Sequence, residues 1–128
     1  MAAKAGLNVK QFYEIVNGAA GASWMFTDRV QRMLEADPDV KSALNIFVKD
    51  MGIVHAEAKR LQCPIPIASA ALQQFISGQS LGLGGADDSQ VVQVYEKVTK
   101  TKVAPSLHSL ENGSILLHNE FVLSLIHI

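Results

Sequence analysis

Two adjacent charges, Lys49 and Asp50, interrupt an otherwise apolar run and are the side chains best placed to do chemistry. An ammonium can donate to a cofactor or to a substrate hydroxyl, and a neighbouring carboxylate can orient it. Either charge is costly to bury unpaired. Around them Leu44, Phe47, Val48, Met51, Val54, Ala58 and Leu61 recur at three- and four-residue steps, which predicts an amphipathic helix. Ile46 and Ile53 add apolar area on its far side, so the helix is expected to pack on more than one face. Lys49 shares its own side with Asn45, Gly52 and Ala56, all small, which lets a second backbone or a ligand approach the amine. A lysine at the edge of a solvated face satisfies the same spacing, and spacing alone favours that plainer reading. Consecutive helical residues diverge by about 100°, so Lys49 and Asp50 cannot simply clasp one ligand atom.

The other candidate groups are weaker. Gly82-Leu83-Gly84-Gly85-Ala86-Asp87 has the outline of a dinucleotide fingerprint, but it lacks the third glycine and follows a helix where the motif needs a strand. It reads as a loop with left-handed backbone positions. His55, His108, His118 and His127 show no metal-ligand spacing, and Cys63 stands alone. His55 falls on the apolar face with Met51 and Ala58 and is expected to be a satisfied core histidine. Asp87 and Asp88 read as a helix cap and a favourable charge beside it. There is no nucleophile elbow and no helix-spaced carboxylate pair for acid/base work.

The elements that must position Lys49 follow from periodicity and punctuation. Residues 1–6 read as a helix end with Gly6 as its left-handed stop. Asn8 caps a short helix, with Gln11 in the capping-box place and Phe12, Ile15 and Val16 on the buried side. Ser23 caps the next, with Phe26, Val30, Met33 and Leu34 inward and Asp28, Arg29, Gln31 and Arg32 outward. Trp24 in its first turn is expected to be a core anchor. Asp37-Pro38-Asp39 is a turn, and Ser42 or Ala43 opens the helix that carries Lys49. Pro66 suits the first position of a tightly packed helix running to about Ser80. Asp87, with Gln90 three residues on, caps the last helix, whose apolar side is Val91, Val94, Tyr95 and Val98. No strand-length alternation competes up to that point, so the expected class is all-α.

Composition sets the outer limits. The 128 residues suffice for one modest domain, 48% of them are apolar and the net charge is −1. No basic patch with interleaved aromatics suggests a nucleic-acid partner, and no apolar run approaches the ~20 residues of a membrane span. A lone cysteine and no secretory leader suggest a reducing, cytoplasmic setting. After Lys100 the character changes: residues 101–113 are polar and turn-rich, and 114–128 are apolar without a clean period. The closing Leu-Ser-Leu-Ile-His-Ile (residues 123–128) reads as a translated sequencing adapter, the other reading being a real C-terminal strand. The expected division is a domain over 1–100 and a disordered tail over 101–128. Asn112-Gly113-Ser114 matches a glycosylation sequon by chance.

The segment IFVKDMGIV, residues 46–54, resembles the last signature block of the β-hydroxyacid dehydrogenases (3-hydroxyisobutyrate dehydrogenase-like), with Met51 for the usual leucine and Ala56 where an acid often closes the block. GAAGASWMFTDRV, SALNIFVKDMG, CPIPIASAALQQF and DDSQVVQVYEKV resemble the same family's blocks in order and spacing over residues 1–98, most closely the branch acting on four-carbon sugar acids such as L-threonate and D-erythronate. The resemblance implies a compact all-α domain of the 6-phosphogluconate dehydrogenase C-terminal-like type, serving substrate binding and dimerisation. It implies NAD or NADP as cofactor, with Lys49 near the nicotinamide and Asp50 holding the geometry. Ser42 stands where many relatives have phenylalanine. The implied partners are a nucleotide-binding domain preceding Met1, a second copy of the chain and a small hydroxy acid. The family's own acid/base lysine belongs to the preceding domain, so this stretch is expected to be catalytically incomplete. The competing reading, from another class, is a non-catalytic helical interaction module.

Overall fold

The computed structural model describes residues 1–104, so the expectations for the tail from residue 105 onward, residues 123–128 included, lie outside the described residues. A 3₁₀ turn at Ala3–Ala5 is followed by α1 (Val9–Asn17), α2 (Trp24–Met33), α3 (Leu44–Leu61) and α4 (Pro66–Ser80). A second 3₁₀ turn, Asp88–Val91, runs into α5 (Val92–Thr99). Among the described residues no strand forms; the extended pairing is one isolated antiparallel bridge between Ala43 and Asp87. No helix among them is long and apolar enough to cross a membrane.

The caps explain most boundaries. Gly6 ends the first turn at φ 80°, in the left-handed region where glycine carries no Cβ penalty. Asn8 Oδ1 accepts the N–H groups of Lys10 and Gln11, and Ser23 Oγ accepts that of Phe26. Pro66 sits in the first turn of α4, where its missing N–H is no loss. α1 and α2 meet through stacked Tyr13 and Phe26, with ring centroids 5.9 Å apart. α3 packs along α4, with Phe47 and Phe75 stacked at 4.9 Å. Leu44 lies at the centre, fully buried, at a point where Gly78 of α4 comes so close that a Cβ would stand 2.7 Å from Leu44 Cδ1.

Several expectations for individual side chains are corrected. Trp24 is 71% exposed and anchors no core; its ring lies 5.7 Å from the Arg29 guanidinium, a cation–π distance. Phe12 and Ile15 are exposed, because nothing among the described residues packs over that side of α1. Arg32 faces inward and is 4% exposed, and Asp28 and Arg29 are half-buried beside it. Asp87 is a cap as expected, but Gln90 does not complete a capping box; its carboxamide pairs with Gln93.

Gly84 has no positive φ to explain it. A Cβ there would stand 2.5 Å from Asn45 Oδ1 and 2.7 Å from Nδ2, so the glycine makes room for that carboxamide. At Gly85 an added Cβ meets nothing. Gly84→Ala should therefore destabilise the chain by about 1–3 kcal/mol, while Gly85→Ala stays within ~0.5 kcal/mol. Urea unfolding of the two variants side by side checks this, and equal midpoints would show that the Asn45 seat does not matter.

Candidate cofactor-side site

The first turn of α3 has no side-chain cap, since Ala43 occupies the cap position. Its N–H donors go instead to backbone carbonyls of the glycine loop: Leu44 N–H to Ala86 at 2.9 Å and Asn45 N–H to Gly84 at 3.0 Å. The N–H of Asp88 returns a bond to Ser42 O at 2.7 Å. Within the loop, the Gly82 N–H goes to Gln79 O and the Leu83 N–H to Gly78 O, both closing α4, and the Ala86 N–H goes to Leu83 O.

Asn45 begins an exposed row that continues through Lys49, Gly52 and Ala56. The Asn45 carboxamide is fixed on two sides, by its seat over Gly84 and by the Gln79 Nε2–H donated to its Oδ1 at 2.7 Å. One turn on, the Lys49 side chain is 66% exposed and Asp50 57%, with Lys49 Nζ and Asp50 Oδ1 3.0 Å apart. An exposed pair of this kind is worth about 0–1 kcal/mol. Lys49 can therefore exchange its carboxylate for a ligand oxygen at little cost. Beyond it a Cβ at Gly52 would meet nothing, leaving an open strip along the helix. Its chemistry suits the ring and amide end of a nicotinamide: donors from Asn45 and Lys49 and a flat surface at Gly52. Two open grooves of about 450 and 740 Å³ lie elsewhere, and neither is lined by Lys49 or Asp50. Among the described residues no group of His, Cys, Asp and Glu could hold a metal.

His55 does not behave as a satisfied core histidine. It is half-buried and its Nε2 has no hydrogen-bond partner among the described residues.

A charge cluster behind α3 was invisible to spacing arguments. Arg32 pairs with Asp87 and, at 2.6 Å, with Asp28; Arg29 reaches Asp88 at 2.8 Å. Asp87 Oδ2 also accepts the Lys41 N–H, and its Oδ1 accepts the Ser89 N–H and Oγ–H. The Asp28–Arg32 step of four residues was a local signal; the pairings across to Asp87 and Asp88 had none. Burial pushes the Asp87 carboxyl up, but Ser89, the Lys41 N–H and the Arg32 charge together hold it below the usual carboxylate range. Hydrogen bonds from Arg32 and then Arg29 hold Asp28 low against a smaller burial effect. For Asp88 burial prevails and raises the carboxyl despite Arg29.

Residues 1–95 match the family described as NAD-binding of NADP-dependent 3-hydroxyisobutyrate dehydrogenase. The L-threonate dehydrogenase of Escherichia coli K12 is 42% identical over 99 residues, covering 77% of this chain and 33% of that protein. That of Pectobacterium atrosepticum is 40% identical over 107 residues, covering 82% and 35%. The crystal structure of a 3-hydroxyisobutyrate dehydrogenase from Salmonella typhimurium superimposes with a TM-score of 0.70 at 45% identity, over 73% of this chain and 33% of that one. The chain thus spans about a third of the length of the relatives it matches. The cofactor of the family is NAD or NADP, as expected.

The match corrects the expected fold class. An all-α domain of the 6-phosphogluconate dehydrogenase C-terminal-like type does not stand, because the family description ascribes NAD binding to this stretch. The absence of a glycine fingerprint led the sequence reading to place nucleotide binding elsewhere. The described residues nonetheless hold helices and no strand. With its matched residues covering most of the chain, this protein belongs to the 3-hydroxyisobutyrate dehydrogenase family of hydroxyacid dehydrogenases.

Proposed function

We propose that this chain is part of an NAD(P)-dependent dehydrogenase of a four-carbon sugar acid, on the L-threonate side of the family, and supplies one wall of its cofactor cleft. The observation that carries the reading is the exposed row Asn45, Lys49, Gly52, with the lysine bound, among the described residues, only to its neighbour Asp50. In this reading residues 1–100 act as one unit. NAD(P), when bound, supplies the acceptor for the substrate's hydride. Lys49 donates to an oxygen of cofactor or substrate, Asp50 holds the ammonium until the ligand arrives, and the open strip at Gly52 lets a ring approach the helix. The exposed apolar side chains of α1 and α5, among them Ile15 and Val98, suit cover by the nucleotide domain or by a second copy.

Joined behind the nucleotide domain of an L-threonate dehydrogenase, Lys49→Ala should lower kcat/KM by about 10²-fold, and Lys59→Ala, also exposed on α3, by less than about twofold. Equal effects would make Lys49 an ordinary surface charge and sink the reading.

A further inference from the structure

We infer that Arg32, acting through Asp87, is a positioning residue for the first turn of α3, the turn that carries Asn45 and leads to Lys49. That turn is not held by its own sequence. Ala43 offers no capping side chain, and the Leu44 and Asn45 N–H groups rely on the carbonyls of Ala86 and Gly84. The helix start is therefore only as well placed as the segment from Gly84 to Asp88.

That segment is fixed by the buried charges. Arg32 is 4% exposed and Asp87 1%. The Asp87 carboxylate takes the Arg32 guanidinium from α2, the Lys41 N–H from the chain entering α3 and two bonds from Ser89. Arg29 ties the adjacent Asp88 to the same helix. One carboxylate thus joins α2, the approach to α3 and the loop beneath its first turn. An apolar pair of similar size would give comparable stability, but it could slide. Charge-assisted bonds have direction and fix the register of the parts they join. Arg32 Nη2 also lies 3.7 Å from Asp88 Oδ1, which adds a second carboxylate of the same segment to its reach.

What α3 is positioned for rests on the proposed function; the positioning itself does not, and its test uses no ligand. In the full chain, amide hydrogen exchange followed by NMR compares Leu44 and Asn45 with Val54 and Ala58 farther along the same helix. Arg32→Met should speed exchange at Leu44 and Asn45 by about tenfold or more while Val54 and Ala58 change by less than about twofold. Arg32→Lys, which keeps the charge, should fall between wild type and Arg32→Met. If Arg32→Met does not fold, Asp87→Asn makes the same comparison, since the amide keeps the size of the side chain. Uniform acceleration along α3 would show that Arg32 lends only general stability and would overturn the inference, as would no change at Leu44 and Asn45. Failure of the Lys49→Ala kinetics with a positive exchange result would count against the proposed function alone.

Discussion

Asp87→Ala should cost about 3–5 kcal/mol of folding stability, a large share of what a domain of this size possesses. The carboxylate is almost wholly buried, and its loss leaves Arg32 Nη1 and the N–H groups of Lys41 and Ser89 without their acceptor, while Arg32 Nη2 keeps Asp28. The same cluster sets the response to acid. Asp28 and Asp87 have lowered folded-state pKa values, so the stability they lend is complete above the ordinary carboxylate value of about 4. It drains away as pH falls through their folded values. Asp88 has a raised value, so its contribution has the opposite sign: it favours the fold when protonated and is lost as pH rises through its folded value. Asp87→Asn should therefore flatten the acid limb of stability against pH, and Asp88→Asn should steepen it. Urea midpoints measured from about pH 2 to 7 check both signs, and matching profiles for the two variants would contradict the assignment.

Leu44→Ala should cost about 3 kcal/mol, within the range for a large-to-small change in a core. Leu44 is the one large apolar side chain among the described residues that is fully buried, and it meets Gly78 at the closest approach of α3 to α4. No neighbouring side chain stands on the Gly78 Cα to collapse into the space, so the cavity should persist. The effect should appear as a lower urea midpoint with an unchanged slope. A loss under about 1 kcal/mol would mean that the two helices close over the gap.

Local signals carried the sequence reading furthest. Asn8, Ser23, Gly6 and Pro66 act through neighbours a few residues away, and the structure places all four as their types dictate. The face of α3 that bears Lys49 was likewise set by a period of 3.6 residues. Long-range pairing was out of reach. Arg32 looked outward because its charge counts as solvated in any periodic pattern, and its partner lies 55 residues away. Trp24 looked buried by residue type, yet it stays exposed, with the Arg29 guanidinium rather than an apolar neighbour over its ring. Gly84 looked like a flexible loop residue and is instead the seat of the Asn45 carboxamide. The fold-class label failed for a different reason. Helical periodicity identifies helices, but it does not say which part of a dehydrogenase they serve.

The central claim is that this chain is one wall of a dehydrogenase cleft and needs the rest of the enzyme. The most direct test is L-threonate-dependent reduction of NAD and NADP, measured for the chain alone and for the chain joined behind a nucleotide domain of its family. The account predicts no turnover by the chain alone and clear turnover once joined. Turnover by the chain alone, or none after joining to a correctly folded nucleotide domain, would contradict it.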